Sequence, residues 1–298
     1  EILKSMMITI LCADPDFATI SETYDDPEFY CNAMKMRSIP SEPTLRQRMD
    51  EIGDSLKYVL REITTDLFLT YGIEPSALEN GYVPIDIDVS PFIDENCSKQ
   101  GIETTYKKKD GYAPIFAYIG TEGYLLACEL RSGSQHCQKG TPEFLLEVIA
   151  QARKITDKPL LIRLDSGNDA AENIILFMNK CIAGERVHFI IKRNIRKEGS
   201  EAWLNKIKDG CKNITHKREG KTEYIGETFR DVTFCEDKDP TTYGIRTIYD
   251  ITVRDCDHDG QYYIVPKVKC DMYSVNVNFP DEDIIELYHK HGEMEQYH

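Results

Sequence analysis

Between residues 83 and 191 the chain alternates strand-like and helix-like runs in an order that few architectures accept. Val83-Pro84-Ile85-Asp86-Ile87-Asp88-Val89-Ser90 has the two-residue period of a strand. Two more strand-like runs, 111–119 and 124–130, are joined by the turn Gly120-Thr121-Glu122-Gly123. A helix is predicted from Thr141, with Thr141 as N-cap, Pro142 at the first helical position and Glu143 in the first turn. Phe144, Val148, Ala152 and Ile155 then recur at helical spacing. The apolar run 159–165 predicts a fourth strand, 170–181 a second helix and 187–191 a fifth strand. Three strands, helix, strand, helix, strand describes a mixed α/β sheet with helices packed on it.

Three carboxylates occupy telling places in this order. Asp88 lies near the end of the first strand, and Asp165 ends the fourth, just before Ser166-Gly167. Glu295 lies on a helix-like segment, 281–297, where Ile284, Tyr288, His291 and Glu295 form one stripe at 100° per residue. Carboxylates delivered from two strand ends and a helix would bind hard divalent cations: Mg²⁺, with Mn²⁺ able to substitute. Two such ions support phosphoryl transfer. Asp86 shares a strand face with Asp88 and is a further candidate ligand. Asp88 is preferred as the first ligand because it is nearer the strand's end. Taken singly, Asp165 could equally cap the turn that follows it, and Glu295 could be a surface residue. Asp94, Glu95, Asp169 and Glu172 are read as solvated or capping. Asp255-Cys256-Asp257-His258-Asp259-Gly260 copies the start of a calcium-binding EF-hand loop, but Pro266 stands where the twelfth-position Glu is required. Asp-Gly between alternating runs predicts a hairpin turn there instead.

At these residues the chain resembles the DDE transposases of bacterial insertion sequences. The likeness is most specific in Asp86-Ile87-Asp88-Val89-Ser90, Asp110-Gly111-Tyr112-Ala113-Pro114, Arg163-Leu164-Asp165-Ser166-Gly167 and the last helix. Cut-and-paste members often carry Tyr, two residues, Arg, three residues, Glu, six residues, Lys. Here Tyr288, His291 and Glu295 keep the first three positions, with His in place of Arg, and the chain ends at His298 before the Lys position. The resemblance implies an RNase H-like catalytic core with a mixed five-stranded sheet flanked by helices. It implies catalytic Asp88, Asp165 and Glu295, and metal ligation by these with Asp86. DNA would be the partner, as transposon ends and target, with a dimer in the DNA complex. Tyr288 and His291 would contact DNA, joined by Lys192, Arg193 and Arg196 after the fifth strand. The expected divisions are a helical region over 1–80 that helps engage transposon ends, the core over 81–198, a β-rich insertion over 199–270 and the last core helix over 271–298. Other readings of the same carboxylates are a related nuclease, such as a junction resolvase, and a non-enzymatic DNA-binding relic.

Composition sets bounds. A net charge of −15 and a pI near 5.0 run against simple DNA binding, which needs Lys and Arg at phosphates. Any basic surface must therefore be local. Candidates are Lys107-Lys108-Lys109, the group at 192–197, and Lys206, Lys208, Lys212, Lys217, Arg218 and Lys221. The ten cysteines contain no Cys-x-x-Cys and no close Cys/His quartet, which favours reduced thiols over disulfides or zinc. No apolar run approaches the ~20 residues of a membrane span. Reduced thiols favour a cytoplasmic protein, and the resemblance implies a bacterial, nucleoid-associated one. The missing initiator Met and the ending just past Glu295 point to a fragment of a longer protein. A long helix is predicted over 41–71 from Leu45, Met49, Ile52, Leu56, Val59, Leu60, Ile63 and Leu67.

Overall fold

The computed structural model describes residues 1–13, 16–20, 28–195, 197–236 and 239–292. Two compact units divide the chain, Glu1–Thr64 and Thr65–His298. The first holds α1 (Ile2–Leu11) and a π-helical turn (Phe29–Ala33), and α2 (Glu42–Tyr71) begins in it and ends in the second. Ile8, Tyr30 and Met36 bury one another in a small core. The long helix predicted over 41–71 forms. Leu45 is fully buried, but Val59, Leu60, Ile63 and Leu67 are exposed, so the periodic stripe is not a packed layer along its whole length. Among the described residues no helix is long and apolar enough to cross a membrane.

The second unit is built on one sheet. Its strands are β1 (Val83–Val89), β5 (Ile115–Ile119), β6 (Tyr124–Glu129), β7 (Leu160–Leu164), β8 (Val187–Lys192) and β9 to β12 (Asn213–Arg218, Lys221–Glu236, Asp239–Cys256 and Tyr262–Val275). Their spatial order is β6-β5-β1-β7-β8-β12-β11-β10-β9. β1 pairs antiparallel with β5 and parallel with β7, and β7 pairs parallel with β8. The first five strands thus lie third, second, first, fourth, fifth, the mixed arrangement expected. The sheet is larger than the five strands expected. The β-rich stretch does not stand apart, because β12 pairs with β8 through Tyr273↔Lys192 and continues the same sheet.

The predicted strand over 111–119 splits in two. β4 (Asp110–Tyr112) joins a small second sheet with β2 (Phe92–Ile93) and β3 (Glu103–Thr104). Pro114, which has no N–H for a ladder, falls at the break. α3 (Thr141–Ile155) starts where predicted, but Gly140 at φ +75° is its N-cap. The Thr141 hydroxyl faces inward instead, donating to the Cys137 carbonyl and accepting from Arg131 Nη1 at 3.0 Å. The Asp-Gly turn joins β11 to β12 as a hairpin. Asp257 Oδ1 accepts the Asp259 and Gln261 amides at 3.0 and 2.9 Å.

Alternation decides which face each strand residue takes. On one face Ile85, Ile87, Ile162, Leu164 and Phe189 pack with Phe144, Val148 and Ala152 of α3 and Ile174 and Phe177 of α4 (Ala171–Ile182). On the other, Leu161, Ile190, Ile248, Tyr273 and Val275 pack with Ile284, Ile285 and Leu287 of α6 (Asp281–His289). The second face also carries Asp86, Asp88, Arg163 and Asp165. α5 (Ser200–Ile207) packs Trp203 and Ile207 on Ile251 and Met272 further along the sheet.

Candidate active site

The β1–β7 register builds the site as two successive rungs. Asp86 stands opposite Arg163 and Ile87 opposite Leu164. The same register carried one residue further sets Asp88 beside Asp165, where neighbouring strands are about 4.8 Å apart. These residues share a face because strand side chains alternate with period two.

The lower rung is buried and internally paired. Arg163 grips Asp86 with two parallel bonds, Nε to Oδ1 and Nη2 to Oδ2, each 2.6 Å. Arg163 Nη1 donates to the Leu287 carbonyl at 2.6 Å, fastening α6 to the sheet. His291 Nδ1 lies 2.8 Å from Asp86 Oδ1. Asp86, Arg163 and His291 are all buried. Burial alone would push the Asp86 carboxyl up, but the His291 hydrogen bond and the Arg163 charge hold it below the ordinary carboxylate value. Asp86 was expected to share the metal, and its two oxygens are instead spent on Arg163 and His291. His291 was expected to reach DNA, and its Nδ1 instead faces Asp86 inside the protein.

The upper rung opens on a cavity of about 410 Å³ lined by Asp88, Tyr106, Asp165, Tyr288, His289, His291 and Gly292. Tyr288 packs between Tyr273 and His291 with its ring tilted to both, at centroid distances of 4.7 and 5.6 Å. Burial, then the charges of Asp165 and Asp88, push its phenol up, so it remains a neutral donor. Asp165 caps the 3₁₀ turn Ser166–Asn168, accepting from the Gly167 amide at 3.1 Å and from Asn168 Nδ2 at 2.9 Å, both on Oδ1. The capping and cavity-lining roles therefore coexist. The turn is tight. A Cβ on Gly167 would stand 2.9 Å from Cys137 Sγ and 3.2 Å from Asp165 Oδ1. Cys137 Sγ donates to the Gly167 carbonyl at 2.9 Å, and burial followed by the Asp165 charge pushes this thiol up, keeping it protonated.

Two adjacent carboxylates at a cavity are a hard oxygen donor set of the kind that suits a divalent cation. Another acidic group, Asp257, His258 and Asp259, brings ligand atoms within 4.8 Å of one another. It lies on the exposed hairpin tip, where the Asp257 carboxylate already serves its own turn.

The remaining expected residues scatter. Glu295 and Arg196 lie outside the described residues. Lys192 pairs with Asp271 at 2.8 Å, and Arg193 pairs with Glu198 at 2.6 Å and lies over the Trp203 ring. Asp94 is partly exposed and Glu95 exposed, and they pair with Lys99 and Lys109. Asp169, expected to be solvated or capping, is instead buried at its carboxylate. It binds Arg230 Nη2 at 2.6 Å and the Asn194 amide at 3.0 Å, tying β8's exit to β10. Residue-by-residue reading missed Arg163, Asn168 and Asn173. A signal for Arg163 was present: Asp-x-Asp in one strand and Arg-x-Asp in its neighbour have the same offset.

The family model described as transposase DDE domain group 1 matches residues 1–297. The chain belongs to this family. Among solved structures, this DDE domain is similar to a piggyBac transposase in a cryo-EM synaptic complex with hairpin DNA, at 14% identity and a TM-score of 0.34. The match covers 93% of this chain and 56% of the piggyBac chain, so the DDE domain spans just over half that length. Comparison with curated proteins found no match.

Proposed function

We propose that this DDE domain is a metal-dependent DNA transposase, with Asp88 and Asp165 holding divalent ions and Glu295 as the third carboxylate. Its substrates would be the ends of an insertion sequence and a target DNA, bound by a dimer. The observation that carries the reading is the upper rung. Two ionised carboxylates on adjacent strands repel each other, and a divalent cation held by both would offset that repulsion. When bound, such ions activate a water or 3′-hydroxyl for attack on a phosphodiester and stabilise the departing oxygen.

The protein's own part is positional. The β1–β7 register, continued past Ile87 and Leu164, supports Asp88 and Asp165 as neighbours, and the 3₁₀ turn holds Asp165 by one oxygen. Tyr288 offers a neutral hydroxyl on the cavity wall to a phosphate oxygen. Arg163 neutralises Asp86 one rung below, so the site's charge is set by Asp88 and Asp165. The test is cleavage of transposon-end DNA in Mg²⁺. Asp165→Asn is expected to abolish cleavage and leave DNA binding in place. Cleavage at the parental rate would remove Asp165 from the reaction.

A further inference from the structure

The Asp165 carboxylate is held from behind by a chain of amides. Asn168 is only 1% exposed, and its Nδ2 donates to Asp165 Oδ1 beside the Gly167 amide. Both of these bonds fall on Oδ1, and Asp165 lines the cavity. The Asn168 carbonyl in turn accepts from Nδ2 of Asn173, a fully buried residue in the first turn of α4, at 3.0 Å. Asn173 and Gln138 exchange a reciprocal amide pair, at 2.8 and 3.1 Å. The chain runs from the loop before α3, through α4, to the carboxylate.

One atom in it is bare. Asn168 Oδ1 is buried and has no hydrogen-bond partner among the described residues. Leaving a buried acceptor unpaired costs about 1–3 kcal/mol, and an apolar side chain of the same shape would avoid that cost. The amide orientation that leaves Oδ1 bare is the one that aims Nδ2 at Asp165. The opposite orientation would set oxygen against a carboxylate oxygen.

We propose that Asn168 is a positioning residue for Asp165: its amide fixes the carboxylate's rotation and turns Oδ2 toward the cation, with Asn173 and Gln138 holding Asn168 in turn. The proposal rests on the reading that Asp88 and Asp165 hold divalent ions. Groups that orient metal ligands from behind typically change metal affinity ten- to a hundred-fold when removed.

The experiment titrates Mn²⁺ into the DNA-free protein and reads free Mn²⁺ by electron paramagnetic resonance. Binding at the site is the portion lost in Asp165→Asn. Asn168→Leu keeps a branched side chain and removes the bare oxygen. It is expected to weaken that portion about ten- to a hundred-fold, while the thermal midpoint stays level or rises. A residue that only supports the fold would lose stability and leave affinity intact. Gln138→Ala, at the half-buried end of the chain, is expected to weaken binding by less than about ten-fold, and it carries the test if Asn168→Leu does not fold. Parental affinity in a folded Asn168→Leu, or in Gln138→Ala should the first variant not fold, would overturn the positioning role. If Asp165→Asn removes no Mn²⁺ binding from the parent, the cation reading itself falls.

Discussion

Two rungs of the same strand pair, two residues apart on the same face, do opposite things. The lower sets a carboxylate against a guanidinium, bonds further to the Leu287 carbonyl and His291, and lines a separate cavity of about 420 Å³. The upper sets carboxylate beside carboxylate and opens on a cavity. A buried ion pair with good geometry is self-sufficient, while two like charges side by side call for a cation from outside. On the proposed reading, Asp-x-Asp is not a doubled ligand: Asp86 is bonded within the fold, and Asp88 is the one left to hold a cation.

The largest effect that could break this contrast is on cleavage. Asp165→Asn and Asp88→Asn should each lower end cleavage by about a thousand-fold or more, since metal-borne stabilisation of the transition state amounts to several kcal/mol. Asp86→Asn should cost clearly less, and single-turnover rates on end DNA give the ranking. A larger loss from Asp86→Asn than from Asp88→Asn would exchange their roles.

The next effect is on stability and sharpens the lower rung. Arg163→Ala strands a buried carboxylate and should destabilise the domain by about 3–5 kcal/mol in denaturant unfolding. Replacing the pair together, Asp86→Leu with Arg163→Met, should recover most of that loss. If the double variant is as unstable as Arg163→Ala, the pair is not an independent unit.

How far the sequence reached follows this division. The positions of Asp88 and Asp165 near the ends of their strands were legible because each strand's period can be read locally. The strand order was legible because the helical and strand periods alternate cleanly across 83–191. Arg163 was not, since its partner lies 77 residues away and their meeting depends on the β1–β7 register. Once Asp88 is set beside Asp165, however, that register forces Asp86 onto Arg163. The continuation of the sheet through β12 was equally hidden, because alternation in 261–269 marks a strand without naming its neighbour. Lys192 and Arg193 looked available for DNA because their partners, Asp271 and Glu198, are brought to them by β12 and by the loop before α5.

The smallest effect is the pH dependence of the lower rung. The folded Asp86 carboxyl titrates below its ordinary value of 3.8. Its contribution to stability is therefore complete above about pH 4 and is lost as pH falls through the lower folded value. Acid unfolding followed by circular dichroism should show this loss in the parent and a shallower one in the Asp86→Leu, Arg163→Met double variant. Identical acid limbs would mean that the pair carries no such linkage.

The most direct test of the two-rung account is a crystal soaked in Mn²⁺ and measured for anomalous scattering. The account predicts manganese between the Asp88 and Asp165 carboxylates, with Asp86 still gripped by Arg163 and His291. Manganese on Asp86, or only at the Asp257–Asp259 hairpin with nothing between Asp88 and Asp165, would contradict it.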